Sequence, residues 1–111
     1  MIPLPTQEMF EALLKPEVDG KAAAAEVVVY FTASWCKACK KLDLDALQNG
    51  RPGVVWYKCD VDENTYSLGY AGCQKIPSFV FIKAGKYADK ISSNSTEIVA
   101  DKMIDVFGPL K

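Results

Sequence analysis

The chain has no histidine among its 111 residues, which removes the side chain most used to bind metals and to move protons near neutral pH. It has only four cysteines and no apolar run long enough to span a bilayer. Neither sign of charge is in excess: 13 Lys and Arg stand against 14 Asp and Glu, for a formal net charge of -1. That balance leaves no footprint for nucleic acid. The first residues, Met1-Ile2-Pro3-Leu4-Pro5-Thr6-Gln7-Glu8, have no basic n-region, no apolar h-region and no arginine-rich amphipathic pattern. No membrane partner is therefore expected, and the expected location is cytoplasmic. In such a reducing compartment a close cysteine pair is more often catalytic, redox-sensing or metal-binding than a structural bridge. Asn94-Ser95-Thr96 matches a glycosylation acceptor, a short pattern that means little without a secretory signal.

What is present suits a compact protein: 50% of the residues are hydrophobic and 24% charged. One domain over residues 1–111 is expected. At this length it buries roughly 65% of its unfolded surface, so cysteines are not needed as staples.

The chemistry centres on Ser34-Trp35-Cys36-Lys37-Ala38-Cys39-Lys40, which follows the strand-forming residues 27–33 and opens a charged, helix-forming segment. The first turn of a helix has unpaired N–H groups and the positive end of the dipole, and both favour a thiolate. Cys36 is thus expected to be the more acidic thiol. Residues three apart share a helix face, close enough for Cys36 and Cys39 to cycle between dithiol and disulfide. The bare spacing also serves zinc and iron-sulfur sites. A zinc site, however, needs about four ligands, usually as two close pairs. Histidine is missing here, and Cys59 and Cys73 fall on different expected elements. A purely structural bridge would close a very small loop, which constrains the unfolded chain least. Cys59 and Cys73 themselves read as buried small hydrophobes, with regulatory oxidation of Cys73 as the alternative.

Thr6 is expected to cap a first helix with Met9, Phe10, Leu13 and Leu14 on one face, ended by Pro16. Residues 17–25 read as a loop with a helical turn. Residues 27–33 lack alternation, as a central strand covered on both faces would. A helix is expected to run on through residues 40–48, then a second buried strand over 54–59 and a short helix over 65–71. Residues 78–83 and 86–91 read as an antiparallel pair joined by Ala84-Gly85, the second at a sheet edge. A last helix starts at Asn94, with Val99, Met103, Val106 and Phe107 as its apolar stripe and Gly108-Pro109 as its stop. The order implies an α/β fold with parallel strands and right-handed crossovers.

These residues resemble the thioredoxin family along almost the whole chain. The likeness rests on Phe31 and Ala33 before Trp35-Cys36-x-x-Cys39-Lys40, on Lys58 followed by Asp60-Val61-Asp62, on Ile76-Pro77 before an apolar strand, and on Lys83-x-Gly85. It implies the thioredoxin fold: a central mixed β-sheet, with parallel strands plus a C-terminal antiparallel hairpin, flanked by helices on both faces. It implies that Cys36 attacks a substrate disulfide and Cys39 resolves the mixed disulfide. It also implies a cis bond at Ile76-Pro77 facing the cysteines, with Trp35, Ile76 and Pro77 as the docking surface for an added substrate strand. Trp35 is expected beside Ser34 and Cys36 in an exposed turn.

Three departures from the family pattern stand out. Lys37-Ala38 lies between the cysteines where glycine-proline is common, and with Lys40 and Lys41 it adds positive charge near Cys36. Tyr30 stands where the family commonly has a buried aspartate, near the lysine equivalent to Lys58. It reads chiefly as packing, and implies slower or differently pH-dependent resolution, since a phenol is a poor base at neutral pH. Ser92-Ser93 replaces a glycine of the docking surface.

The function expected is a thiol-disulfide oxidoreductase that reduces protein disulfides, with no bound cofactor and no metal. Its partners would be disulfide-containing proteins and, as electron donor, a thioredoxin reductase or a low-molecular-weight thiol; a monomer is expected. A disulfide oxidase or isomerase and a non-catalytic binding module are the alternatives.

Overall fold

A computed structural model of the chain describes residues 1–109. The elements run β1 (Ile2–Pro3), α1 (Gln7–Leu13), β2 (Glu17–Val18), β3 (Lys21–Ala22), β4 (Glu26–Thr32), a 3-10 turn (Ala38–Lys41), α2 (Leu44–Gly50), β5 (Val55–Asp60), α3 (Ser67–Tyr70), β6 (Ser78–Lys83), β7 (Lys86–Ser92) and α4 (Thr96–Phe107). Five strands form one sheet in the order β1-β5-β4-β6-β7. β4 pairs parallel with β5 and antiparallel with β6, and β7 pairs antiparallel with β6. The sheet is mixed, with helices on both sides, as the fold class required.

Alternation along β4 divides the core. Val28 and Tyr30 point to the side of α2 and α4, where they join Leu47, Phe79, Val99, Met103 and both redox cysteines. Val27, Val29 and Phe31 point to the side of α1 and α3, with Phe10, Cys59, Cys73 and Val80. Burial on both faces is why β4 reads as an unbroken apolar run.

Several local expectations are corrected. Residues 17–22 form a two-stranded antiparallel hairpin rather than a loop with a helical turn, because Asp19 and Gly20 both take positive φ and reverse the chain. The expected helix through residues 40–48 is broken. Leu42 is extended, and Asp43 starts a new helix by accepting from the Ala46 amide at 3.0 Å, while its own amide donates to Thr96 Oγ1 at 2.8 Å. The last helix is capped by Ser95, whose hydroxyl accepts from the Ile98 amide, and not by Asn94. β5 is buried only in part: Trp56 joins one core cluster and Cys59 the other, while Lys58, beside the two-residue β1, is exposed. β1 itself was not expected.

Candidate active site

β4 and β5 run in the same direction, and the site lies beyond their C-terminal ends. Backbone bonds hold the connection: the Val61 amide donates to the Thr32 carbonyl at 2.9 Å and the Cys36 amide to the Ala33 carbonyl at 3.1 Å. Cys36 and Cys39 are joined by a disulfide, with Cα atoms 5.4 Å apart. The Cys39 amide donates to Cys36 Sγ at 3.1 Å. This bond comes from a turn that precedes and enters a four-residue 3-10 helix. The local amide, rather than the dipole of a long helix, is the electrostatic device at Cys36.

The expectation of an exposed Cys36 is overturned: Ser34 is exposed, but Cys36 is only 5% and Cys39 6% exposed. Both pack into the apolar cluster with Tyr30 and Phe79, because the chain folds back under the exposed tip formed by Ser34 and Trp35. Trp35 is 62% exposed. Its indole N–H donates to Asp62 Oδ2 at 2.8 Å, and Asp60 Oδ1 in turn accepts from the Asp62 amide at 2.9 Å. The loop after β5 thus orients the tryptophan at the surface.

Tyr30 is buried in the same core cluster as the pair, stacked on Phe79 with ring centroids 5.1 Å apart, and its hydroxyl donates to Thr32 Oγ1 at 3.2 Å. Burial pushes the phenol above its ordinary value, with the Thr32 hydroxyl acting weakly the other way. It stays protonated at neutral pH. Lys58 is the β5 partner of Tyr30 in register, but its side chain is exposed. Lys37 is exposed beside Cys36.

Ile76 and Pro77 are joined by a cis peptide bond. With Ala38 they line an open groove that continues to Ser92 and Ser93, so the structure brings this turn to the edge of the cysteine segment. The loop is held by strand β7. Tyr87 Oη donates to the Ala71 carbonyl at 2.8 Å, Lys90 Nζ donates to the Gly72 carbonyl, and the Ser78 hydroxyl, which donates to the Lys75 carbonyl, lies 2.6 Å from Ser92 Oγ. A bulge at Ala88 makes this arrangement. Tyr87 lies opposite Ile82 and Lys90 opposite Val80, so both face the α3 side although they are three residues apart. Sequence reasoning missed the roles of Tyr87 and Lys90, read only as part of an edge strand, and of Asp62, read only as part of the Asp60-Val61-Asp62 motif.

Cys59 and Cys73 are free and buried. Burial pushes the Cys59 thiol up to about 12, with Asp60 and Glu63 adding to the effect. Burial also raises Cys73, opposed by Ser78 and Lys90. Neither is set up as a nucleophile. Among the described residues, no three His, Cys, Asp or Glu side chains come together as a metal site, and no helix is long and apolar enough to cross a membrane.

The sequence pattern of the family described as Thioredoxin matches residues 5–105. The chain is 33% identical to thioredoxin H4 of Arabidopsis thaliana, over 70% of this chain and 68% of that protein. It is 36% identical to a thioredoxin of Geodia cydonium, over 75% and 76%. Among solved structures it superposes on Fasciola hepatica thioredoxin with a TM-score of 0.78 at 29% identity, covering 96% of this chain and 99% of that one. It matches mitochondrial thioredoxin 3 of Saccharomyces cerevisiae, in its oxidized form, with a TM-score of 0.81 at 27% identity, covering 95% and 94%. With a cysteine pair already at bonding distance on this fold, the protein is a thiol-disulfide oxidoreductase, and the chain belongs to the thioredoxin family.

Proposed function

We propose that Cys36 is the attacking thiol and Cys39 the resolving thiol in the reduction of protein disulfides. The observation that carries this is the Cys39 amide directed at Cys36 Sγ, which favours negative charge on that sulfur. The Cys36 thiolate attacks one sulfur of the substrate disulfide, forms a mixed disulfide and expels the other substrate sulfur as a thiolate, which takes up a proton. Cys39 then loses its proton and attacks Cys36 Sγ. The internal disulfide forms, and the second substrate sulfur leaves and is protonated. Two electrons pass from the cysteine pair to the substrate, and a thioredoxin reductase or a low-molecular-weight thiol restores them, with no bound cofactor required.

Exposure of Trp35 and the open groove along Ile76 and Pro77 support a docking surface that accepts an extended substrate segment. The two free cysteines, Cys59 and Cys73, suit a reducing, cytoplasmic setting. We read the protein as acting as a monomer.

The test is trapping. Cys39→Ser should accumulate a mixed disulfide with a model protein such as insulin through Cys36, and Cys36→Ser should accumulate none. Trapping on any other cysteine would overturn the assignment. Equilibration with glutathione buffers separates reductase from oxidase, since a potential far above about -200 mV would favour the oxidant.

A further inference from the structure

The groove beside the cysteines has a charge character of its own. Its first part, about 320 Å³, is lined by Ala38, Lys75, Ile76, Pro77 and the polar residues 92–94. It adjoins a second, about 390 Å³, that runs past residues 72–75 to Lys90, Ile91 and Ser92. Lys75 and Ser92 line both, so the two are continuous. Among the described residues, the only charged side chains along them are Lys75 and Lys90, and no carboxylate lines either part. No ion pair among the described residues includes either lysine. Lys90 Nζ is committed to the Gly72 carbonyl, whereas Lys75 is exposed and its ammonium has no ion-pair partner among the described residues.

The opposite flank differs. Trp35 is tied to Asp62, and Asp60 and Glu63 lie in the same loop. The cysteine pair therefore stands between an acidic flank and a basic groove, on a chain whose net charge is only -1. Selectivity from such a pattern is local, because whole-molecule steering is small.

We propose that the groove receives an acidic segment of the substrate protein. An extended stretch beside the substrate's disulfide lies along Lys75 and Ile76, with carboxylates facing Lys75 and polar side chains facing Ser93 and Asn94. Lys75 is the specificity-determining residue. This rests on the reading that Cys36 and Cys39 reduce protein disulfides.

Three synthetic peptides with the same intramolecular disulfide, flanked by glutamate, glutamine or lysine, provide the test. The reduced protein is mixed with each, and the second-order rate of its oxidation is measured. At low salt the glutamate peptide should react about three- to fivefold faster than the lysine peptide, the scale of one exposed ion pair, and the gap should close near 0.5 M salt. Lys75→Glu should remove or reverse the order. Lys86→Glu, at the far end of β7, changes net charge equally and should leave the order intact. Equal rates in the wild type, or the same preference in Lys75→Glu, would overturn the proposal. So would an equal effect of Lys86→Glu, which would make the preference one of net charge. If even the glutamine peptide is not reduced, the functional reading falls and this proposal with it.

Discussion

The amide of Cys39 points at the sulfur of Cys36 across 3.1 Å. In the disulfide that sulfur is a weak acceptor. With Cys36 as the proposed attacking thiolate, the same bond in the reduced protein would be charge-assisted and roughly twice as strong. Cys36 should therefore be alkylated first when the reduced protein is titrated with iodoacetamide. Cys59 and Cys73, whose thiols burial holds above the ordinary range, should be modified after Cys36. Mass spectrometry of the first-labelled peptide checks the order, and labelling at Cys39 ahead of Cys36 would reverse the roles assigned here.

Tyr30 replaces an ionisable carboxyl with a phenol whose burial holds it protonated. Tyr30→Phe removes one buried hydrogen bond, to Thr32, and should cost about 1 kcal/mol while leaving turnover and its pH profile intact. Tyr30→Asp places a carboxyl in the same apolar cluster, where desolvation raises its pKa. Its stability should be best in acid and fall as pH rises through that raised value. The rate of mixed-disulfide resolution should gain an ionisation absent from the wild type. Superimposable rate-pH profiles for the wild type and Tyr30→Asp would show that this position does not govern resolution.

The strands and the cysteine pair were legible because their signals are local. Residues 27–31 and 79–82 are apolar without interruption, which only a doubly covered strand requires, and Cys36 and Cys39 are three apart on a strand-to-helix junction. Features set by tertiary contacts were not legible. The break at Leu42 depends on Asp43 reaching Thr96, fifty-three residues later. Burial of Cys36 depends on its place in a core cluster assembled from β4, β5, β6, α2 and α4, which propensity does not report. The helix-prone alanines after Lys21 were overridden by the hairpin turn at Asp19 and Gly20. β1 is two residues long and lies at a sheet edge, where Pro3's missing donor is tolerated, and so short a strand carries no periodicity to read.

Alkaline stability should be set largely by Cys59. In the unfolded chain its thiol ionises near the ordinary 9.0, whereas in the fold burial holds it at about 12. The unfolded state thus loses its proton first. Stability is complete below pH 9 and declines progressively from there towards 12; Cys73, also raised by burial, adds to the decline from 9, and Tyr30 and Tyr87 add to it above 10. Urea midpoints at pH 7, 9 and 10.5 should fall across the last interval for the wild type and fall less for Cys59→Val, which keeps an apolar side chain in the strand. An equal decline in both would place the alkaline sensitivity elsewhere.

Tyr87, Lys90 and Ser92, all on β7, hold the loop that ends in Ile76 and Pro77. Gly72 is exposed, so water can replace Lys90 at its carbonyl, and Lys90→Met should cost less than about 1 kcal/mol of stability. Its effect should instead appear in docking, because in the proposed docking mode the loop presents the backbone of Ile76 to an extended segment while a small disulfide needs only the sulfurs. For a protein disulfide, KM should rise severalfold with kcat little changed; for hydroxyethyl disulfide, neither should move. Amide exchange over residues 72–76 should quicken in the same variant, and Lys90→Arg, which keeps a donor at that reach, should restore both. Parallel losses with the protein and the small disulfide would mean that Lys90 supports the fold and has no part in positioning the docking strand.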